Sequence, residues 1–249
     1  MKRMWIFGVL CWMLLAPPLW AQAGQWPAGG EVVYDVSQGD GGMVLGKGVH
    51  RWSHDGRGYR MSTHLETTGL AALLKDFEYT QTSEGDVSPQ GLVPRRFVVE
   101  QKGRATESAI FDWRSSSVLV EGRKGRRHTE TLALGDQDVL SVWHLVALRP
   151  GHDYPSDITL VSNRGADPAA LEVVGMQEVQ LPVGRLRALH IKLKAHSGKL
   201  EIGLWLSEEH AWAPVRVRLQ DRKGKVLDHR AVSIKLEAAV PRVAGAPRP

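Results

Sequence analysis

The sequence predicts an all-β, mainly antiparallel protein: a large, strongly curved sheet or open β-barrel/roll of about a dozen strands packed around one buried helix near residues 138–148. Three observations predict it. Apolar and polar residues alternate with period two along most of the chain. Glycines fall inside strand patterns, where a bent sheet or a close backbone needs them. One stretch, Asp138 to Leu148, is apolar nearly all round, as a segment enclosed by the sheet would be.

Taken along the chain, strands are expected at Glu31–Ser37, Met43–Trp52, Gly58–Thr68 and Phe77–Ser83. Further strands follow at Arg95–Lys102, Arg104–Trp113, Ser117–Glu121 and Arg126–Leu134. Gly46 and Gly48 share one face of their strand and mark strong curvature. Between strands, Gly69 to Lys75 places Leu70, Leu73 and Leu74 at helical spacing, a short helix. The longer helix spans Asp138 to Leu148: Asp136 or Asp138 caps it, and Pro150-Gly151 stops it.

After Thr159–Ser162, a loop at Gly165–Pro168 and a strand at Leu171–Gln180, the alternation is at its clearest. In Arg187–Ala195, Leu189, Ile191, Leu193 and Ala195 share one face, with His190, Lys192 and Lys194 on the other. His196–Lys199 turns the chain into Leu200–Leu206, and Arg222–Lys225 joins the strand at Val215–Leu219 to Val226–Leu236. A sheet this long must curl, close or split.

The organisation is simple. Residues 1–23 have the form of a signal peptide: Lys2 and Arg3, an apolar run from Met4 to Leu15, helix-breaking Pro17-Pro18, and Ala21-Gln22-Ala23 for cleavage after Ala23. Residues 24–239 read as a single β-rich domain, and 240–249, rich in Pro, Gly and Ala, as a disordered tail. A periplasmic protein with no transmembrane span in its mature form is expected. Cys11 is the chain's one cysteine and lies in the leader, which leaves no disulfide, thiolate nucleophile or cysteine-bound metal. Losing Lys2 and Arg3 lowers the formal net charge from +5 by two, to +3. The basic run Arg123-Lys124-Gly125-Arg126-Arg127 reads as a solvated hairpin tip, because export removes it from nucleic acid. Anionic lipid headgroups remain within its reach.

The catalytic patterns in the chain are incomplete. Gly41–Gly48 approaches a phosphate-binding loop but ends in Gly48, and a strand follows it rather than a helix. The histidines lack metal-ligand spacing, and His50, His54, His190, His196 and His210 read as surface residues. Asp138, Ser141 and His144 have the composition of a hydrolase triad but no strained serine turn, so Asp138 reads as a cap, with the other two bonded inside the core. No cofactor, metal site or catalytic residue is assigned, and whether the protein is an enzyme stays open, with the balance toward none. Six tryptophans lie beyond the leader. Trp52, Phe77, Trp113, Trp143, Val146 and Trp205 are the candidate lining of an apolar cavity, or else core filling.

Several short motifs follow one another along the chain. These motifs are Gly58-Tyr59-Arg60-Met61, the Gly69-Leu70 step, and Gly85 followed by Pro89-x-Gly91-Leu92-x-Pro94-x-x-Phe97. Then come Phe111-Asp112-Trp113, Gln137-Asp138-x-x-Ser141, and Trp205-Leu206-Ser207 with Pro214-Val215-Arg216. They run from about Glu31 to Leu236, and their order resembles the bacterial exported family catalogued as domain of unknown function 3108. The resemblance implies an envelope protein with a curved antiparallel sheet and brings no activity or catalytic residue. A looser likeness, of architecture only, is to periplasmic lipoprotein carriers, whose open barrel holds acyl chains. The leading expectation is therefore a non-enzymatic protein that binds a lipid-like or amphipathic ligand in its concave face. The alternative is a structural or assembly module contacting envelope proteins by a strand edge or basic face. A hydrolase acting on an envelope polymer comes third.

Overall fold

A computed structural model describes residues 26–74, 76–148 and 154–238. The expected cleavage after Ala23 and the tail at 240–249 lie outside them. Among the described residues, fifteen strands form one sheet. The first eight are β1 (Gly29–Gln38), β2 (Val44–His54), β3 (Gly58–Thr67), β4 (Glu78–Ser88), β5 (Gly91–Gln101), β6 (Glu107–Asp112), β7 (Ser117–Glu121) and β8 (Arg127–Thr131). The others are β9 (Gln137–Asp138), β10 (Asp157–Ser162), β11 (Gly165–Leu181), β12 (Gly184–Ala195), β13 (Leu200–Ser207), β14 (Ala213–Asp221) and β15 (Val226–Leu236). Helix α1 (Gly69–Leu74) joins β3 to β4.

The order is β8-β7-β6-β5-β4-β3-β2-β1-β15-β14-β13-β12-β11-β10-β9. The chain thus starts in the middle of the sheet and meanders out to β8. It then crosses to the far edge and meanders back to pair β15 with β1. Every pairing is antiparallel except the two-residue contact of β9 with β10. The sheet does not close, since β8 and β9 end the order. It rolls until those margins meet through side chains. Asn163, in the β10–β11 turn, donates to Glu107 on β6 at 2.7 Å, and Gln137 on β9 donates to the carbonyl of Leu92 on β5 at 2.8 Å.

The roll depends on a few close approaches. At Gly46 a Cβ would fall 2.0 Å from the Glu66 carbonyl oxygen, and at Gly85 one would fall 2.2 Å from that of Val93. Gly85 sits at a bulge opposite Pro94, where a missing N–H is tolerated in a strand. Replacing Gly46 with alanine should therefore cost about 1–3 kcal/mol, because backbone rather than a flexible side chain must give way. Denaturant midpoints of wild type and Gly46→Ala check this, and equal midpoints would refute it.

Two expectations need correction. Gly165–Pro168 is not a loop; it opens β11, pairing with β10 from Ser162↔Gly165 to Thr159↔Pro168. Nor is there an α-helix at 138–148. Gln137–Asp138 is a short strand, and only Ser141–His144 winds, as one 3₁₀ turn. Its bonds run over three residues, Trp143 N–H to the Leu140 carbonyl at 3.1 Å and Ala147 N–H to that of His144 at 3.1 Å. Val139, Val142, Trp143 and Val146 are poor helix formers, and a tighter winding lets them press on a curved wall from all sides. The burial itself was legible: Leu140, Val142, Trp143 and Val146 are almost wholly enclosed. Among the described residues no helix is long and apolar enough to cross a membrane.

Candidate functional site

The polar chemistry of the interior gathers where the 136–148 segment meets β2, β3 and β4. Asp138 is fully buried. Its Oδ1 accepts the backbone N–H groups of Leu140 at 2.9 Å and Ser141 at 2.8 Å, capping the 3₁₀ turn. Its Oδ2 accepts the Ser83 hydroxyl at 2.6 Å. Ser83 has one hydrogen and gives it to the carboxylate, so the Tyr59 hydroxyl, 3.0 Å away, donates to Ser83. Burial pushes the Asp138 carboxyl up, and these donors pull against that shift. Ser141 bonds back to the Asp138 backbone, its hydroxyl donating to that carbonyl at 3.2 Å. Asp138, Ser141 and His144 therefore anchor the crossing segment to the wall.

One turn further, His144 meets His50 of β2, Nε2 to Nε2 at 2.8 Å. The indole of Trp26 donates to His144 Nδ1 at 3.0 Å. An indole N–H can only donate. His144 Nδ1 is therefore bare and its hydrogen sits on Nε2. That hydrogen points at His50 Nε2, which must accept, so His50 carries its own hydrogen on Nδ1 and gives it to Thr63 Oγ1 at 2.8 Å. Both rings are neutral. Desolvation drives His144 well below the usual histidine value and His50 down to about 3. The stack of Trp26 on His54, with centroids 4.3 Å apart and planes within 2°, covers this cluster from outside.

Trp143 fills the space beside it, 5.1 Å from the His50 ring and 6.2 Å from that of His229. Its Nε1 is buried with no hydrogen-bond partner among the described residues, as is Nε2 of His229. His229 gives its other nitrogen's hydrogen to the Val217 carbonyl at 3.1 Å. Burial lowers its pKa as well.

The structure separates the six candidate lining residues. Trp52, Trp143 and Val146 belong to this interior, and the Trp52 ring packs 4.8 Å from His144. Phe77 lies just before β4, 6.0 Å from the Tyr79 ring. Trp113 follows β6 at the opposite end, bonded to the Pro94 carbonyl at 2.6 Å. Trp205 faces outward, opposite in phase to the enclosed Leu204 and Leu206. There His190 stacks on it at 4.0 Å, and the Arg216 guanidinium lies 4.5 Å from its ring while clamping Asp228 through two bonds. Gln177 accepts the Trp205 N–H at 3.1 Å. Desolvation, helped by Lys192 and Arg216, takes His190 down to about 4.

His50 and His190 are thus buried rather than surface residues, a correction to the reading of their exposed-looking strands. Sequence reasoning missed the His50–His144 pair and Trp26. The partners stand 94 and 118 residues apart, and no spacing rule spans that. Among the described residues no three His, Cys, Asp or Glu side chains are grouped to hold a metal ion. What the interior arrangement does chemically is fasten: apart from Trp143 Nε1 and His229 Nε2, its donors meet acceptors among the described residues.

A second feature lies at the surface. β10 pairs only with residues 165–170 of β11, and β12 covers the other side of β11. Among the described residues no strand pairs with the outer edge of β11 from Glu172 to Val179, and beyond it the Gln180 carbonyl accepts the Arg230 guanidinium at 2.8 Å. Val173 is 47% exposed, Val174 37% and Met176 36% along this edge, beside a bulge at Val173/Gly175.

The family model described as "Protein of unknown function (DUF3108)" matches residues 33–229. No curated protein matches the chain. Among solved structures, the fold is similar to a β-barrel-like protein of domain of unknown function DUF1849 from Brucella abortus. That match has a TM-score of 0.55 and 12% identity, and covers 85% of this chain and 99% of that one. A weaker likeness is to MucB crystallised in complex with MucA(peri), with TM-score 0.30 and 14% identity. It covers 91% of this chain and 56% of the other.

Proposed function

The chain belongs to the DUF3108 family of proteins of unknown function, and we propose that it is an exported, non-enzymatic assembly module of the cell envelope. It engages a partner protein by adding a strand to the free edge of β11. The observation that carries this reading is the stretch Glu172–Val179, which no strand covers among the described residues, with Val173, Val174 and Met176 exposed along it. An open edge offers a row of unused N–H and C=O groups, and alternate apolar side chains supply pockets for selectivity. Glu172, Glu178 and the bulge at Val173/Gly175 blunt this edge only in part, and Val173, Val174 and Met176 stand exposed between them.

The interior favours this over carriage of a lipid-like ligand. Trp52, Trp143 and Val146, which would have lined a cargo cavity, are in contact with the crossing segment or belong to it. Hollows of about 490 and 330 Å³ lie outside the roll, the first among Arg123, Lys124 and Arg126, the second over Arg60, Glu84 and Arg96. The leader-like residues 1–23 support export.

Photo-crosslinking from position 174, with the full-length protein expressed in its own compartment, tests the proposal. Reproducible protein adducts, lost when Val173→Pro blocks the edge, are the expected result. Lipid adducts would return the carrier reading, and adducts unaffected by the proline would overturn edge pairing.

A further inference from the structure

The strand order sorts the turns into two ends, and the charges sort with them. The turn after β5 carries Lys102 and Arg104, and that after β7 carries Arg123, Lys124 and Arg126. Arg164 follows β10, Lys199 follows β12, and Arg222, Lys223 and Lys225 follow β14. Antiparallel pairing places all these turns at the same end, together with the β1–β2 turn. All of these basic residues are exposed. Of the acidic residues at this end, Asp40 is held by Arg216 and Arg218, Asp76 by Lys102 at 2.5 Å, and Asp221 caps the β14–β15 turn by accepting the Lys223 and Lys225 backbone N–H groups. At the opposite end the turns carry Asp55, Glu208 and Glu209 against Arg57 and Arg114.

The basic end is also greasy. Met43, in the β1–β2 turn, is 76% exposed, and Val44 beside it is 50% exposed. Helix α1, at the same end, contains no charged residue. At the β7–β8 turn, Arg123, Lys124 and Arg126 surround a hollow of about 490 Å³. Among the described residues none of the three has a salt-bridge partner.

We propose that this end docks on an anionic bilayer, the turns' cations binding lipid phosphates while Met43 enters the headgroup layer. Many cations spread over separate turns suit a broad charged plane rather than a single bound anion. An exposed apolar side chain among them is what insertion needs. The inference rests on the export part of the reading above but not on edge pairing. Loss of crosslinks at position 174 would leave it standing.

Vesicle sedimentation with the purified full-length protein tests it. Vesicles containing one-third phosphatidylglycerol should bind it, and pure phosphatidylcholine vesicles should not. Each cation near such a surface is worth about fivefold in affinity. Arg123→Gln/Lys124→Gln/Arg126→Gln, and separately Arg222→Gln/Lys223→Gln/Lys225→Gln, should each weaken binding at least tenfold with unchanged melting. Arg57→Gln/Arg114→Gln, at the other end, should change it less than twofold. Inorganic phosphate at matched ionic strength should not compete; full competition would reduce the end to a simple anion site. Equal binding to both vesicle types would overturn the proposal. So would binding to polyglutamate without binding to vesicles, and that result would assign the end to an acidic protein.

Discussion

Lowering the pH from 7 to 4 is expected to unfold this protein steeply, with loss of stability beginning near pH 6.5. His50, His144 and His229 are fully enclosed, and His50 and His190 are held down to about 3 and 4. The unfolded chain takes up protons at an ordinary histidine pKa of about 6.5, whereas the native chain does not until far lower. A group with a depressed native pKa of this kind contributes no penalty above the unfolded value. As pH falls below that value, the unfolded state gains protons first and stability drains away. Each such histidine costs about 1.4 kcal/mol per pH unit, so His50 and His144 together cost about 3 kcal/mol per unit, enough to remove most of the stability of a marginally stable domain by about pH 4.5, and His229 adds to the loss in the same direction. Asp138 acts with the opposite sign. Its native pKa is raised, so the folded form is the first to take that proton, which offsets part of the loss at the acid end.

The geometry of the histidine pair sharpens the effect beyond desolvation. Trp26 occupies His144 Nδ1, and the only hydrogen between the rings already sits in the 2.8 Å contact. A second proton there would set N–H against N–H and break the chain of donors. Urea titrations from pH 7 to 4.5 check the prediction, the slope of stability against pH reporting protons taken up on unfolding. A flat profile between pH 7 and 5 would refute it.

Truncating Trp143 to alanine should cost about 3–5 kcal/mol, because the side chain is 2% exposed at the centre of the roll and its neighbours are held by β-ladders that cannot collapse inward. Trp143→Phe should cost under about 1.5 kcal/mol. It keeps most of the packing and removes an indole N–H that has no partner, whose desolvation already burdens the native state. Chemical denaturation of the three proteins measures both differences. Similar losses for alanine and phenylalanine would mean that Trp143 acts through its N–H and not its volume.

Strand positions were readable because a half-buried strand has only one period. In Gly184–Ala195 the inward Ile191, Leu193 and Ala195 stand where the alternation puts them. The same arithmetic could not tell which outward residues are covered. His190 and Trp205 look exposed in sequence but stack on each other beneath Arg216 and Gln177, since the curled sheet folds its own outer face over them. At 138–148, hydrophobicity all round the axis announced enclosure but not winding. Asp138 takes the Leu140 and Ser141 N–H groups and starts a 3₁₀ turn where the pattern alone suited an α-helix.

Local pattern alone determined that this chain is an antiparallel sheet with an enclosed apolar segment and, through residues such as Gly46, that the sheet bends. These features depend on side-chain periodicity and backbone sterics within a few residues. Tertiary structure decided what fills the roll, which histidines lose water, and which strand edge stays open. Each of those depends on residues far apart in the chain being brought within about 3 Å, the range of a hydrogen bond.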